Sequence, residues 1–351
     1  MRKRIALTLA GAGLCLAVLA PPAAAVPREL FGIAAGGQPT SNGDAQRMNS
    51  AGVRTFRMVI DWREVQPTRN GPLRLGGVDA RVERFAENGI RPVPLIYGSP
   101  SWVASRPNRP PLGSASKRRA WQSFLTRLVN RYEPGGDYWT ENPSVNREPI
   151  TAWQIWNEPN LPKYFVRKRS TRKYAKLVKL SNQAISRADP QAKVVLAGLT
   201  GFARPTAWAF LDRLYDVRGI KRHFDAAALH PYAATISQFR SELKRVRRVM
   251  KRNRDGGTAL WLTEVGWGSA QGSRRFPLNK GRQGQARMLK RSFRVVLQKR
   301  RAWHIQRLFW FDWRDPPQGA DSNCSFCGSA GLLQHNSQAK PSYRAFNRFT
   351  P

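Results

Sequence analysis

Acidic residues are scarce in this chain: 22 aspartates and glutamates face 60 lysines and arginines among 351 residues, a formal net charge of +38. Histidine and cysteine are scarcer still, at four and three. That poverty argues against a zinc centre, because Cys324-x-x-Cys327 supplies only two ligands and His223, His230, His304 and His335 show no ligand spacing. No metal and no cofactor is expected. Beyond the first residues there is no Gly-x-Ser-x-Gly elbow, which argues against a serine hydrolase, and no glycine-rich phosphate loop, which argues against a nucleotide fold. Apart from Ile5 to Ala20, no stretch approaches the length of uncharged apolar chain that crosses a bilayer, so no membrane span is expected.

That one apolar run has its own reading. It follows Met-Arg-Lys-Arg and precedes Pro-Pro-Ala-Ala-Ala, the order of a secretory signal peptide over residues 1–25, with cleavage after Ala25. Cys15 follows Leu14 rather than a small residue, which argues against a lipoprotein. A secreted monomer spanning residues 26–351 is expected, and in an oxidising compartment Cys324 and Cys327 suggest a local disulfide. Losing Arg2, Lys3 and Arg4 leaves a net charge of +35. The basic residues crowd into Lys168 to Lys179, Arg240 to Arg254 and Lys290 to Arg301, read as outward helix faces. Such a field attracts anionic polymers at a cell surface, and no nucleic-acid recognition motif accompanies it.

Apolar strands alternate with helical stripes eight times, without repeat or linker, which counts to a single (β/α)8 barrel. The strands are read at 31–35, 53–60, 90–96, 150–158, 194–199, 224–229, 259–268 and 305–311, and 134–148 as a polar loop. Ile236, Phe239, Leu243, Val246 and Met250 recur at steps of three and four, a helix with one apolar stripe.

Two strands end in a glutamate. Ile150 to Asn160 reads Ile-Thr-Ala-Trp-Gln-Ile-Trp-Asn-Glu-Pro-Asn, and Pro159 stops the ladder so that Glu158 sits at the strand's C-terminal end. Ala259 to Gly268 reads Ala-Leu-Trp-Leu-Thr-Glu-Val-Gly-Trp-Gly and ends in Glu264. Barrel enzymes keep their chemistry at these ends, and a pair of carboxylates suits glycosidic bond cleavage. Arg57 is a charge within an apolar strand and needs an anion, either in a structural ion pair or beside an active-site carboxylate.

Trp-Asn-Glu-Pro-Asn (Trp156 to Asn160) followed by Leu-Thr-Glu-Val-Gly-Trp (Leu262 to Trp267) resembles the retaining glycoside hydrolases of clan A, the large barrel clan of cellulases, mannanases and β-xylosidases. The resemblance covers essentially residues 26–351. It implies that Glu158 closes strand 4 as acid/base and Glu264 closes strand 7 as nucleophile, their carboxyls about 5 to 5.5 Å apart. It implies further that Asn157, Arg57, His230 and Tyr232 surround them, with the Tyr232 hydroxyl on Glu264, and that a tryptophan after strand 8, Trp310 or Trp313, floors the sugar site. Trp62, Trp102 and Trp267 are further strand-end aromatics suited to sugar faces. The competing reading is a non-catalytic basic barrel that binds glycans or anionic wall polymers.

Overall fold

A computed structural model describes residues 26–35, 40–317 and 324–350. The leader read at residues 1–25 lies outside them. The chain runs β1 (Phe31–Ala34), α1 (Asn42–Ser50), β2 (Thr55–Asp61), α2 (Trp62–Val65), α3 (Gly76–Glu87), β3 (Arg91–Tyr97), α4 (Ala115–Tyr132), α5 (Asp137–Glu141), β4 (Ala152–Ile155) and α6 (Ser170–Ala188). It continues as β5 (Lys193–Thr200), α7 (Ala207–Tyr215), β6 (Ala226–His230), α8 (Ile236–Arg252), β7 (Ala259–Val265), α9 (Gly281–Lys299), β8 (Ile305–Phe311) and α10 (Pro341–Phe346). The eight strands pair in parallel in chain order and β8 closes onto β1, the (β/α)8 barrel read from the sequence.

The strands read as unbroken apolar runs because both faces are buried. Inward side chains form a tight plug of Ala34, Val93, Ala152, Val195, Ala226, Ala228, Ala259, Trp261 and Phe309, the alanines leaving room for the two large rings. Outward side chains such as Phe56, Met58, Ile60, Trp153, Ile155, Leu260, Leu262, Leu308 and Trp310 join the helix layer. Beneath the plug, at the strands' N-terminal ends, Glu29 pairs with both Arg91 (2.6 Å) and Arg307, and Arg91 also reaches Glu148 (3.1 Å). The barrel is therefore filled and floored rather than hollow.

Helix α8 follows its stripe, with Phe239, Leu243, Val246 and Met250 buried and a capping box between Thr235 and Gln238. Its basic face is outward except at Arg247, which is buried and donates to the carbonyls of Trp303 (2.9 Å) and Thr258 (3.0 Å). The stretch 134–148 is not merely a polar loop: α5 lies inside it and buries Tyr138 and Trp139 against α4. Cys324 and Cys327 are bridged. Among the described residues, no helix is long and apolar enough to cross a membrane.

Candidate active site

The two glutamates reach one place by two local departures from regular strand geometry. In β4, Ala152 and Gln154 face the barrel interior, so simple alternation would send Trp156 inward as well. Instead Trp156 adopts φ 72° and swings outward, where its indole donates to the Tyr164 carbonyl (2.7 Å) and packs on Tyr97 and Phe165. Glu158 follows at φ 37°, and both Asn157 and Glu158 then turn into the site. Two non-glycine residues with positive φ at one strand end are strain held in place by the surrounding packing.

In β7 the device is a bulge. Leu262 pairs with Leu308 and Val265 with Trp310, three residues advancing against two. The extra residue lets consecutive side chains, Thr263 and Glu264, both face inward, where strict alternation would have sent Glu264 into the helix layer.

Around them the polar groups interlock. Arg57 Nη1 donates to Glu264 Oε1 (2.8 Å), Nη2 to Asn157 Oδ1 (3.2 Å) and Nε to Gln154 Oε1 (2.5 Å). The Tyr232 hydroxyl donates to Glu264 Oε2 (2.6 Å). His230 Nδ1 lies 2.8 Å from Glu158 Oε1, and its Nε2 lies 3.0 Å from Thr263 Oγ1. Gln154 Nε2 in turn donates to the Leu196 carbonyl and to Thr263 Oγ1. The His230 ring lies directly over Gly198, where a Cβ would come within 1.9 Å of Nε2, so this place admits only glycine.

Burial and charge treat the two carboxyls oppositely. Burial pushes Glu158 above the usual carboxylate range, and the nearby negative Glu264 adds to the shift, only partly offset by His230. Burial also acts on Glu264, but His230, Arg57 and the Tyr232 hydrogen bond outweigh it and hold that carboxyl low. One oxygen from each carboxyl and one His230 nitrogen lie within 4.8 Å of one another, a distance at which three ligands could share a metal ion. The donors are already committed, however. A cation there would sit against the Arg57 guanidinium and displace the Tyr232 hydroxyl from Glu264.

Arg57, Asn157, Glu158, His230, Tyr232 and Glu264 thus meet in one cluster. The tryptophans do not. Trp310 faces the helix layer, packed on Trp267 and Phe293 with its indole donating to Ala330 O (3.3 Å), and it cannot floor the cleft. Trp313 is buried beneath α1, donating to Asp44 Oδ1 (2.9 Å). The physical reason is parity: Phe309 points inward, so Phe311 does too and Trp310 cannot. The partly exposed Phe311 lies beside Tyr232 at 6.4 Å, in the place assigned to a tryptophan. Trp62 and Trp267 are core residues as well, with no exposed surface. Trp102 is half-buried, packed edge-on against Trp62 and donating to Gln66 O (3.0 Å). Sequence reasoning passed over Gln154, Thr263, Phe311 and Phe326. Gln154 and Thr263 had a signal, being isolated polar residues at inward positions of apolar strands.

Residues 132–339 match the family described as "Glycosyl hydrolase catalytic core". Among solved structures, a family 39 glycoside hydrolase from Bacteroides cellulosilyticus WH2 aligns with a TM-score of 0.67 at 18% identity, over 92% of this chain and 64% of that one. A glucosidase from Croceicoccus marinus aligns at 0.66 and 15%, covering 92% and 67% of the two chains. A monomeric beta-xylosidase from Caulobacter crescentus CB15 gives 0.62 and 18%, covering 91% and 67%. The chain thus spans about two thirds of the length of these neighbours, and at such identities the likeness is one of fold. No match is found among curated proteins. With the matched segment carrying both strand-end glutamates within a closed eightfold barrel, this chain belongs to the glycosyl hydrolase catalytic core family.

Proposed function

We propose that this protein is a secreted, retaining β-glycosidase in which Glu264 is the nucleophile and Glu158 the acid/base. The observation that carries the reading is the pair itself: two carboxyls with oxygens within 4.8 Å, one pushed up and the other held low. Inverting enzymes need about 6.5 to 9.5 Å between the groups to fit a water. In the first step the ionised Glu264 attacks the anomeric carbon while Glu158 gives its proton to the departing glycosidic oxygen. The bond to the aglycone breaks as the glycosyl ester on Glu264 forms. Esterification removes the negative charge beside Glu158, so its carboxyl becomes more acidic and can then take a proton from water. That water attacks the anomeric carbon and frees Glu264, with two inversions giving retention.

Arg57 holds Glu264 ionised and aimed. Asn157 accepts from Arg57 through its Oδ1, and among the described residues its amide N–H2 has no acceptor, which leaves it for a sugar hydroxyl. Export is supported by the leader pattern at 1–25 and by the Cys324–Cys327 bridge. The test is trapping with a 2-fluoro glycoside, followed by peptide mass spectrometry. Label on Glu264 is expected, and label on any other residue overturns the assignment.

A further inference from the structure

Tyr232 is the hinge of a second, aromatic arrangement. Its ring touches Phe326 at 5.0 Å between centroids and Phe311 at 6.4 Å, and those two lie 6.3 Å from each other. Tyr232 and Phe311 sit at or just beyond strand ends, β6 and β8. Phe326 comes from elsewhere. It lies between the two bridged cysteines, Cys324 and Cys327, and is buried by the other rings. Hydrogen bonds hold its segment on both sides: Asn279 Nδ2 donates to Ser325 O (3.0 Å) and the Ser329 amide to Phe326 O (3.0 Å).

We propose that Phe326 is a positioning residue: clamped by the Cys324–Cys327 bridge, it presses the Tyr232 ring into the one pose from which the hydroxyl reaches Glu264. The inference rests on Glu264 being the nucleophile. Tyr232 is mostly buried, and the 2.6 Å bond it makes depends on ring placement, since a phenol has no torsion of its own that could recover a lost reach. With Phe326 trimmed, the ring loses the tilted contact nearest to it and the hydroxyl can leave Glu264. The groups still facing Glu264 are then Arg57 from β2, His230 from β6 and Glu158 beyond β4. The carboxylate has lost a donor, so it becomes a weaker acid.

The experiment is a double-mutant cycle of Phe326→Ala and Tyr232→Phe, read as kcat, KM and the acid limb of the pH profile. Phe326→Ala alone should lower kcat about tenfold, the order expected for weakening a hydrogen bond to a charged group, with KM nearly unchanged. The acid limb should move to higher pH. In the Tyr232→Phe background the same change should do almost nothing. Phe326→Tyr, which keeps the ring, should restore most of the rate, and Cys324→Ser with Cys327→Ser should reproduce a milder form of the loss. Additive losses in the two backgrounds, or a rise in KM with a stationary acid limb, would overturn the proposal. Two-fluoro glycoside trapping of Phe326→Ala separates the failures. Label on Glu264 with additive kinetics refutes only the role of Phe326, whereas label elsewhere refutes the nucleophile assignment beneath it.

Discussion

At the scale of single residues, the opposed environments of Glu158 and Glu264 predict different losses. Glu264→Ala should abolish turnover of every substrate. Glu158→Ala should cripple substrates with poor leaving groups yet spare dinitrophenyl glycosides in the first step, because that phenolate departs without a proton. Comparing kcat/KM across aryl leaving groups checks this, and equal losses on all of them would count against the acid/base role. A third carboxyl, Glu242 on α8, predicts a stability effect. Burial raises it to about 7, only partly offset by Arg245, and one of its oxygens is buried against Gly201 without a hydrogen-bond partner among the described residues. The folded state therefore binds this proton more tightly than the unfolded chain does. Its favourable contribution is complete below the unfolded carboxyl's pKa and is lost as pH rises towards 7. Glu242→Gln should consequently stabilise the protein by about 1 to 3 kcal/mol at pH 8, with the gain fading by pH 4 to 5. Equal gains at both pH values in denaturant titrations would remove the explanation.

At the scale of elements, much was legible. Strand β8 was read at its observed bounds, and Arg57 was identified as needing an anion, which is Glu264. Composition and periodicity report such features because burial on two faces leaves a direct imprint on sequence. The orientation of strand ends leaves none. Whether Trp310 or Phe311 faces the cleft depends on parity counted from Phe309, and the turn-out of Trp156 and the bulge before Val265 are backbone conformations no side-chain pattern encodes. Similarly, the segment after β8 was read for its cysteines, while Phe326 between them went unnoticed because its partners, Tyr232 and Phe311, are distant in sequence. The bridge closes a very short loop and has little chain entropy to remove, so reducing it should cost only about 1 to 3 kcal/mol of stability. Thermal melts with and without reductant measure that; a much larger drop would mean the bridge holds more than its own loop.

At the scale of the whole molecule, charge is unevenly shared. Helix α9 carries Arg282, Arg287, Lys290, Arg291, Arg294 and Lys299 with no acidic residue, and a groove of about 240 Å³ between α9 and α10 is lined by Lys290, Arg344 and Arg348. Adsorption to anionic polysaccharide should therefore be strong at low salt and fall steeply as the Debye length shrinks from about 30 Å at 0.01 M to about 3 Å at 1 M. Turnover of a small neutral glycoside should barely change, because the glutamates sit inside the rim with the buried Arg57 while the helix cations lie outside it. If salt instead suppressed turnover and left adsorption intact, the positive field would belong to the cleft, and a uronide would be the better substrate.

The packed interior and its Glu29, Arg91 and Arg307 floor also decide how traffic moves. On the proposed mechanism, a barrel whose described residues fill and floor it makes the first product leave, and the next molecule enter, through the same mouth while the sugar is esterified on Glu264. Water holds no privileged route to that intermediate. It competes with any alcohol that fits the vacated place, including a hydroxyl of another sugar, so the partition between breaking glycans and rebuilding them is set by what waits at the door rather than by a second machinery within.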